Sequence, residues 1–218
     1  MKSFDVRAVL FDLDGTLVDS TLVVERTWTR WAEKHGLEPQ RIIAFAHGRP
    51  TADTVHAVMP HLDAAMEAGQ LLAEEELDPT PVRSIPGALD AVTIASSHAK
   101  WAVVTSASRK LALLRLKSAG FPEPQVLISA DDVKRGKPDP EGFLEAAARL
   151  EVSPQDCVVF EDTPAGVEAG KAARAKVIGL STTFPKADLH AEEVVADLRS
   201  VKLQSIGDGW LHVWWRPL

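Results

Sequence analysis

Three short apolar runs, each ending on a polar residue, most restrict what this chain can fold into. Val6 to Phe11 runs into Asp12-Leu13-Asp14-Gly15-Thr16, Trp101 to Val104 into Thr105-Ser106, and Cys157 to Phe160 into Glu161-Asp162. Apolar runs this short, bounded by turn residues, read as buried strands. From Gly87 onward such runs alternate with amphipathic stretches. Helices are expected over 88–99, 109–119, 140–150 and 163–174. Strands are expected over 101–105, 126–129, 157–160, 176–180 and around Val194-Val195. Strands and helices in strict alternation imply a parallel sheet covered on both faces. The predicted fold class is therefore α/β, a doubly wound parallel sheet.

The segment after the first run breaks the alternation. Residues 20–36 place Leu22, Val23, Thr27, Trp31 and Ala32 at helical spacing, and further helices are expected after Pro39, over 51–58 and over 63–77. A proline-broken stretch, 78–87, reads as a linker. The expected organisation is a core of residues 1–18 and 86–218 interrupted by a small helical domain, residues 19–85. At the other end, Leu203 to Ile206 and Trp210 to Trp215 flank Gly207-Asp208-Gly209, the pattern of a hairpin. Its tryptophans, Trp210, Trp214 and Trp215, are expected to pack on the core sheet rather than to form a carbohydrate-stacking surface.

A chain of 218 residues can bury a core for one domain with an insert, and the net charge of -7 without a basic run argues against nucleic acid or anionic lipid as a partner. The sequence shows no apolar stretch of signal-peptide or membrane-spanning length, so a cytoplasmic location and no membrane partner are expected. Nothing in it demands more than a monomer. Cys157 is the one cysteine, which excludes an internal disulfide and reads as a buried structural thiol.

The ends of the three strands carry the candidate chemistry. Residues two apart in an extended chain point the same way, so Asp12 and Asp14 can emerge together where ligand sites of open α/β sheets lie. Alone, that pair is equally compatible with a solvated turn. The hydroxyl of Ser106 and the backbone N–H of Ala107 suit a phosphate oxygen. A helix-capping role for Thr105-Ser106 is the plainer alternative. Gly136-Lys137-Pro138 places a lysine in a restricted loop. Glu161 and Asp162 facing Asp12 and Asp14 would repel one another without a cation, and Mg2+ fits such a set of carboxylate oxygens.

Taken together, Phe11-Asp12-Leu13-Asp14-Gly15-Thr16-Leu17-Val18-Asp19-Ser20, Thr105-Ser106, Gly136-Lys137-Pro138-Asp139-Pro140 and Val159-Phe160-Glu161-Asp162-Thr163-Pro164-Ala165-Gly166 resemble, in order and spacing, the haloacid-dehalogenase-like (HAD) hydrolase superfamily. Within it the chain is most similar to sugar phosphatases, glycerol-phosphate phosphatases and 2-deoxyglucose-6-phosphate phosphatases. Ala46-His47-Gly48-Arg49, Ala130 to Pro138 and Gly166 to Ala173 carry that likeness. The resemblance implies a small phosphorylated metabolite as substrate and residues 19–85 as an α-helical cap. Asp12 would be the nucleophile and Asp14 the acid and base. Magnesium would be held by Asp12, Asp14 through its backbone carbonyl and Asp162, with Glu161 in support. Ser106, Ala107 and Lys137 would bind phosphate, and His47, Gly48 and Arg49 would read the substrate.

The close rival is a phosphomutase of the β-phosphoglucomutase type. Members of that branch carry a cap histidine and an arginine where this chain has Val24 and Thr51, with Arg49 offset, and the departure favours hydrolysis. A dehalogenase has no need of Asp14. A receiver-type signalling module would lack the long helical segment after its first acids, and a non-catalytic relative would be expected to have lost Asp12, Asp14, Lys137 or Asp162. Asp131-Asp132 reads as a helix cap. His35, His56, His61, His98, His190 and His212 show no zinc-like spacing and are expected at the surface.

Overall fold

The computed structural model describes residues 1–46, 49–78, 80 and 82–218. Its first strand pattern is two strands, not one. β1 (Lys2–Val6) and β2 (Ala8–Phe11) are separated at Arg7, whose N–H donates to the Asp156 carbonyl at 2.7 Å. After β2 the chain makes a short strand β3 (Val18–Asp19) and four helices, α1 (Thr21–Lys34), α2 (Pro39–Ala46), α3 (Thr51–Val58) and α4 (Ala64–Leu77). It returns through β4 (Arg83–Ser84), which lies inside the stretch expected to be a linker and pairs antiparallel with β3. Next come α5 (Ala88–His98), β5 (Lys100–Val104), α6 (Arg109–Ser118), β6 (Val126–Ile128), α7 (Glu141–Arg149), β7 (Cys157–Glu161), α8 (Pro164–Ala172) and β8 (Lys176–Leu180). A one-turn helix α9 (Lys186–Leu189), β9 (Glu193–Val195) and the hairpin β10 (Val201–Gly207) and β11 (Trp210–Trp215) complete the chain.

Six strands form the parallel sheet, in the order β6-β5-β2-β7-β8-β9. Alternate residues of each strand sort to opposite faces. Val9, Phe11, Trp101, Val103, Val158 and Phe160 pack towards α5 and α6. Ala8, Leu10, Ala102, Val104, Cys157 and Val159 pack towards α7 and α8. Cys157 is buried, and its thiol donates to the Ser153 carbonyl at 3.4 Å. Because the chain reverses direction on either side of β2, a crevice opens beyond the carboxyl ends of β5, β2 and β7.

Helices α1 to α4 have a separate apolar cluster, with Trp28, Trp31, Ile42, Ile43, Val55 and Leu71 at its centre. His35 belongs to it rather than to the surface. Its ring lies 4.7 Å from that of Trp31, whose indole N–H donates to Glu67 at 2.8 Å. His35 stands at the C-terminal end of α1, with its Nε2 3.5 Å from Glu67 Oε2.

The tail hairpin does not join the parallel sheet. It makes a second, antiparallel sheet, β1-β11-β10, on the far side of α5. Only one of its three tryptophans is in the core, since β11 alternates. Leu211, Val213 and Trp215 are buried under α5, while Trp210 and Trp214 are half-buried on the opposite face. Trp215 anchors the sheet, with its ring 4.8 Å from Phe4 and its indole N–H donating to Glu193 at 2.9 Å. Among the described residues no helix is long and apolar enough to cross a membrane.

Candidate active site

Parallel pairing aligns the strand ends. Phe11 stands opposite Phe160 and Val103, so the next residues, Asp12 and Glu161, are neighbours, and the Asp12 N–H donates to the Phe160 carbonyl at 3.0 Å. Beyond Asp12 the chain turns sharply, with N–H groups of Leu17 and Val18 both donating to the Leu13 carbonyl. Gly15 sits at φ +86°, and a Cβ there would come within 2.0 Å of Asp162 Oδ2. The residue after Asp14 must therefore be glycine, both for the backbone and for the carboxylate beside it.

Asp12, Glu161 and Asp162 are all buried, and each brings a carboxylate oxygen within 4.8 Å of the others. Lys137 is the cation among them. Its ammonium donates to Asp12 Oδ1 at 2.5 Å, to Glu161 Oε1 at 2.6 Å and to the Val104 carbonyl at 3.0 Å. Burial pushes the Asp12 carboxyl up to about 7, against the pull of Lys137. The Asp162 carboxyl is driven well above its usual range by burial and by Asp12 and Glu161 beside it. Lys137 is held above its usual value by the same two acids, which outweigh its own desolvation.

Glu161 and Asp162 differ in what is left of their bonding capacity. Glu161 Oε2 accepts from the N–H groups of Asp162 and Thr163 and from the Thr163 hydroxyl, and Oε1 takes Lys137. The start of α8 is pressed onto this carboxylate. A Cβ on Gly166 would fall 1.8 Å from Glu161 Oε1, so glycine lets the helix terminus approach. In Asp162, Oδ1 accepts from the Thr16 hydroxyl at 3.2 Å, while Oδ2 is buried with no hydrogen-bond partner. Glu161 is thus committed to aligning Lys137 and the loop, and Asp162 has a lone acceptor to offer.

Asp14 is half-buried at the edge of the same cavity. Ser20 donates to its Oδ1 at 2.6 Å and Arg115 to its Oδ2 at 2.7 Å. The cavity, about 150 Å³, is lined by Asp12, Asp14, Ser106, Ala107, Lys137 and Asp162 on the sheet side and by Val24, Trp28, Arg49, Thr51, Leu72 and Glu75 on the helical side. Ser106 is exposed there and does not cap α6, because Ser108 does so, accepting from the Leu111 N–H at 3.2 Å. The N–H of Ala107 donates to the Thr105 hydroxyl at 3.0 Å. Arg49 reaches the cavity with its guanidinium 4.3 Å from the Phe45 ring, and His47 and Gly48 lie outside the described residues. Asp132 does serve as a cap, exchanging bonds with Ser129 at the turn after β6.

Sequence reading missed Arg115 and Glu75. Arg115 falls on the buried stripe of α6 with Leu111, Ala112 and Leu116, and Glu75 on that of α4 with Ala68 and Leu71. A charge at a core position of an amphipathic helix requires a partner, and that was the signal available.

The family model described as haloacid dehalogenase-like hydrolase matches residues 6–174. The chain belongs to the haloacid dehalogenase-like hydrolases. Hexitol phosphatase A of Escherichia coli is 40% identical over 87% of this chain and 89% of its own length. The 2-deoxyglucose-6-phosphate phosphatase 1 of Saccharomyces cerevisiae is 36% identical over 93% of this chain and 92% of its own length. Among solved structures, a hydrolase from Pseudomonas syringae superposes with a TM-score of 0.78 at 25% identity, covering 89% of this chain and 94% of that one. Membership, with phosphatase relatives at 36–40% identity, makes the chain an enzyme.

Proposed function

We propose that this hydrolase is a magnesium-dependent phosphatase acting on sugar or polyol phosphates through an aspartyl-phosphate on Asp12. The observation that carries the reading is the unpartnered, buried Asp162 Oδ2 in the Asp12–Glu161–Asp162 carboxylate cluster, where Lys137 bonds Asp12 and Glu161. The names of the two relatives, a hexitol and a 2-deoxyglucose-6-phosphate phosphatase, support the substrate class.

The donor set fits a hard divalent cation. Carboxylate oxygens of Asp12 and Asp162 and the backbone carbonyl of Asp14 would hold Mg2+, with Glu161 orienting their surroundings. Bound there, the ion would neutralise charge on Asp12 and on the substrate phosphate.

The remaining work falls to the chain itself. Lys137 holds Asp12 Oδ1, which leaves the other oxygen to attack phosphorus while the bond from phosphorus to the ester oxygen breaks. Asp14 gives its proton to the departing alkoxide, then takes one from the water that displaces phosphate from Asp12. The exposed Ser106 hydroxyl would steady the transferring oxygens, joined by Lys137 and the Ala107 N–H as each exchanges a present acceptor, the Val104 carbonyl and the Thr105 hydroxyl respectively, for phosphate. Residues 19–85 would act as a cap over the core of residues 1–18 and 86–218, closing off water and reading the alcohol with Arg49 and its neighbours His47 and Gly48. No group in this reading has to come from a second chain, and a monomer is proposed as the working unit.

Phosphate release from a panel of sugar, polyol and nucleotide monophosphates, with magnesium or with a chelator, tests the reading. Wild type is expected to release phosphate from sugar or polyol esters only with the metal, and Asp12→Asn from none. Interconversion of hexose phosphates primed by a bisphosphate, without net phosphate release, would replace hydrolysis with the mutase chemistry.

A further inference from the structure

Arg115 is the least expected charge in the molecule. It occupies a core position of α6, its side chain is 5% exposed, and it connects two acids from different parts of the chain. Nη1 donates to Asp14 Oδ2 at 2.7 Å, and Nη2 donates to Glu75 Oε2 at 2.5 Å. Glu75 comes from α4, in the helical segment, and its side chain is equally hidden. Burial pushes its carboxyl up to about 7 despite Arg115 beside it. Lys110 of α6 also pairs with Glu76 of α4, nearer the surface.

The geometry around Asp14 gives this pair a task. The carboxyl is fixed at both oxygens, Oδ1 by Ser20 at the head of α1 and Oδ2 by Arg115. Neither hydrogen bond is local to the turn that carries Asp14. Proton delivery to a leaving oxygen requires a carboxyl held within hydrogen-bond reach and in one orientation. A buried guanidinium, in turn, keeps its position only while both its charge and its donors are matched. Glu75 supplies one of its two acid partners from across the seam, while Arg115 Nε stays buried without one, so among the described residues the guanidinium is held by Asp14 and Glu75 alone.

We propose that Arg115 is a positioning residue for Asp14, and that Glu75 sets Arg115 so that Asp14 is aimed correctly only when α4 is seated against α6. The proposal rests on the phosphatase reading, in which Asp14 protonates the leaving group. It adds that the helical segment reaches into the chemistry through Glu75 and Arg115 as well as by covering the cavity.

Leaving-group dependence separates this role from a purely structural ion pair. An alkyl phosphate needs its departing oxygen protonated, whereas 4-nitrophenolate departs without a proton. The value of kcat/KM covers substrate capture and the phosphorylation of Asp12, so the comparison excludes the later hydrolysis step, and KM measured for each substrate separates capture from phosphorylation. Arg115→Lys keeps the charge but cannot span both acids, and it is expected to lower kcat/KM for glucitol 6-phosphate by about 100-fold, the low end of general acid contributions. With 4-nitrophenyl phosphate the same variant should stay within about threefold of wild type, the ordinary scatter of a kcat/KM ratio well under one tenfold step. Glu75→Gln should show the same split more weakly. The double variant Glu75→Met, Arg115→Met removes both charges while preserving apolar volume, and it guards against loss of fold in the single variants.

Equal losses on both substrates, or no loss on either, would overturn the proposal and reduce the pair to a strut between the helices. Asp14→Asn is measured in parallel. If it shows no split, the assignment of Asp14 as acid fails, and the positioning role fails with it. If Asp14→Asn splits the two substrates and the Arg115 and Glu75 variants do not, only the positioning role is wrong.

Discussion

Replacing Asp12, the proposed nucleophile, should make the protein more stable, and by an amount that depends on pH. Asp12→Asn is nearly isosteric, and its amide oxygen can still accept from Lys137, which keeps Glu161 as its counter-charge. Burial and the neighbouring acids lift the Asp12 carboxyl from 3.8 to about 7 even after the attraction of Lys137 is included. A carboxyl raised on folding gives stability that is full below its unfolded value, and this stability is lost as pH rises through the folded value. Over that interval, at about 1.4 kcal/mol per pH unit for one proton, ionising Asp12 costs the metal-free protein up to ~4 kcal/mol. Asparagine never ionises, so the variant escapes the cost. At pH 8 it should melt about 8–16 °C above wild type, at ~2–4 °C per kcal/mol for a chain of this size. At pH 4 the two should coincide. Thermal unfolding followed by circular dichroism, in chelator, at one-unit steps of pH, measures both. A variant no more stable than wild type at pH 8, or a gain that does not grow between pH 4 and 8, would refute the electrostatic account of this cluster.

Other consequences follow from the same geometry. Magnesium should raise the melting temperature of wild type more at pH 8 than at pH 5, because protons and cation compete for Asp12 and Asp162; thermal shift with and without chelator tests this. Gly166→Ala would drive a Cβ into Glu161, costing about 1–3 kcal/mol by overpacking, and should lower phosphate release by displacing the acid that aligns Lys137; urea unfolding and the release assay read the two effects. Trp215→Ala should cost ~3–5 kcal/mol through the lost aromatic core contact with Phe4 and leave kcat/KM intact in the folded protein, since the antiparallel sheet lies far below the cavity.

Much of the site was legible because parallel sheets impose a simple rule. A central strand must be apolar on both faces, so the first polar residue after such a run marks the strand's carboxyl end. Asp12, Thr105 and Glu161 all lie at that point, and their neighbours line the cavity. The division between β1 and β2 was not legible, because Phe4 and Val6, alternating with Ser3 and Asp5, merge into the continuous run beyond Arg7. The partner that makes β1 a strand is β11, two hundred residues away, and no local pattern announces it. The same distance hid the Glu75–Arg115 pair. Each residue violated its own helix's apolar stripe, but the violations compensate only once α4 meets α6.

Charge balance explains why these violations persist. Asp12, Asp14, Glu161 and Asp162 crowd one cavity, and the described residues set against them Lys137, shared by Asp12 and Glu161, and Arg115, shared by Asp14 and Glu75. Lys137 and Arg115 are each already divided between two acids, Arg49 on the helical side of the cavity stacks on Phe45, and Asp162 keeps a buried oxygen with no hydrogen-bond partner. A phosphate dianion entering such a site would deepen the imbalance. Binding becomes favourable only if a cation arrives with it or before it, or if the acids take up protons. Apolar replacements at Glu75 and Arg115 would relieve the strain on folding, yet they would also release Asp14 from one of its two anchors. The cost to stability is thus located at the residues whose orientation the proposed reaction would require, which is where a fold that is otherwise locally consistent is expected to break its own rules.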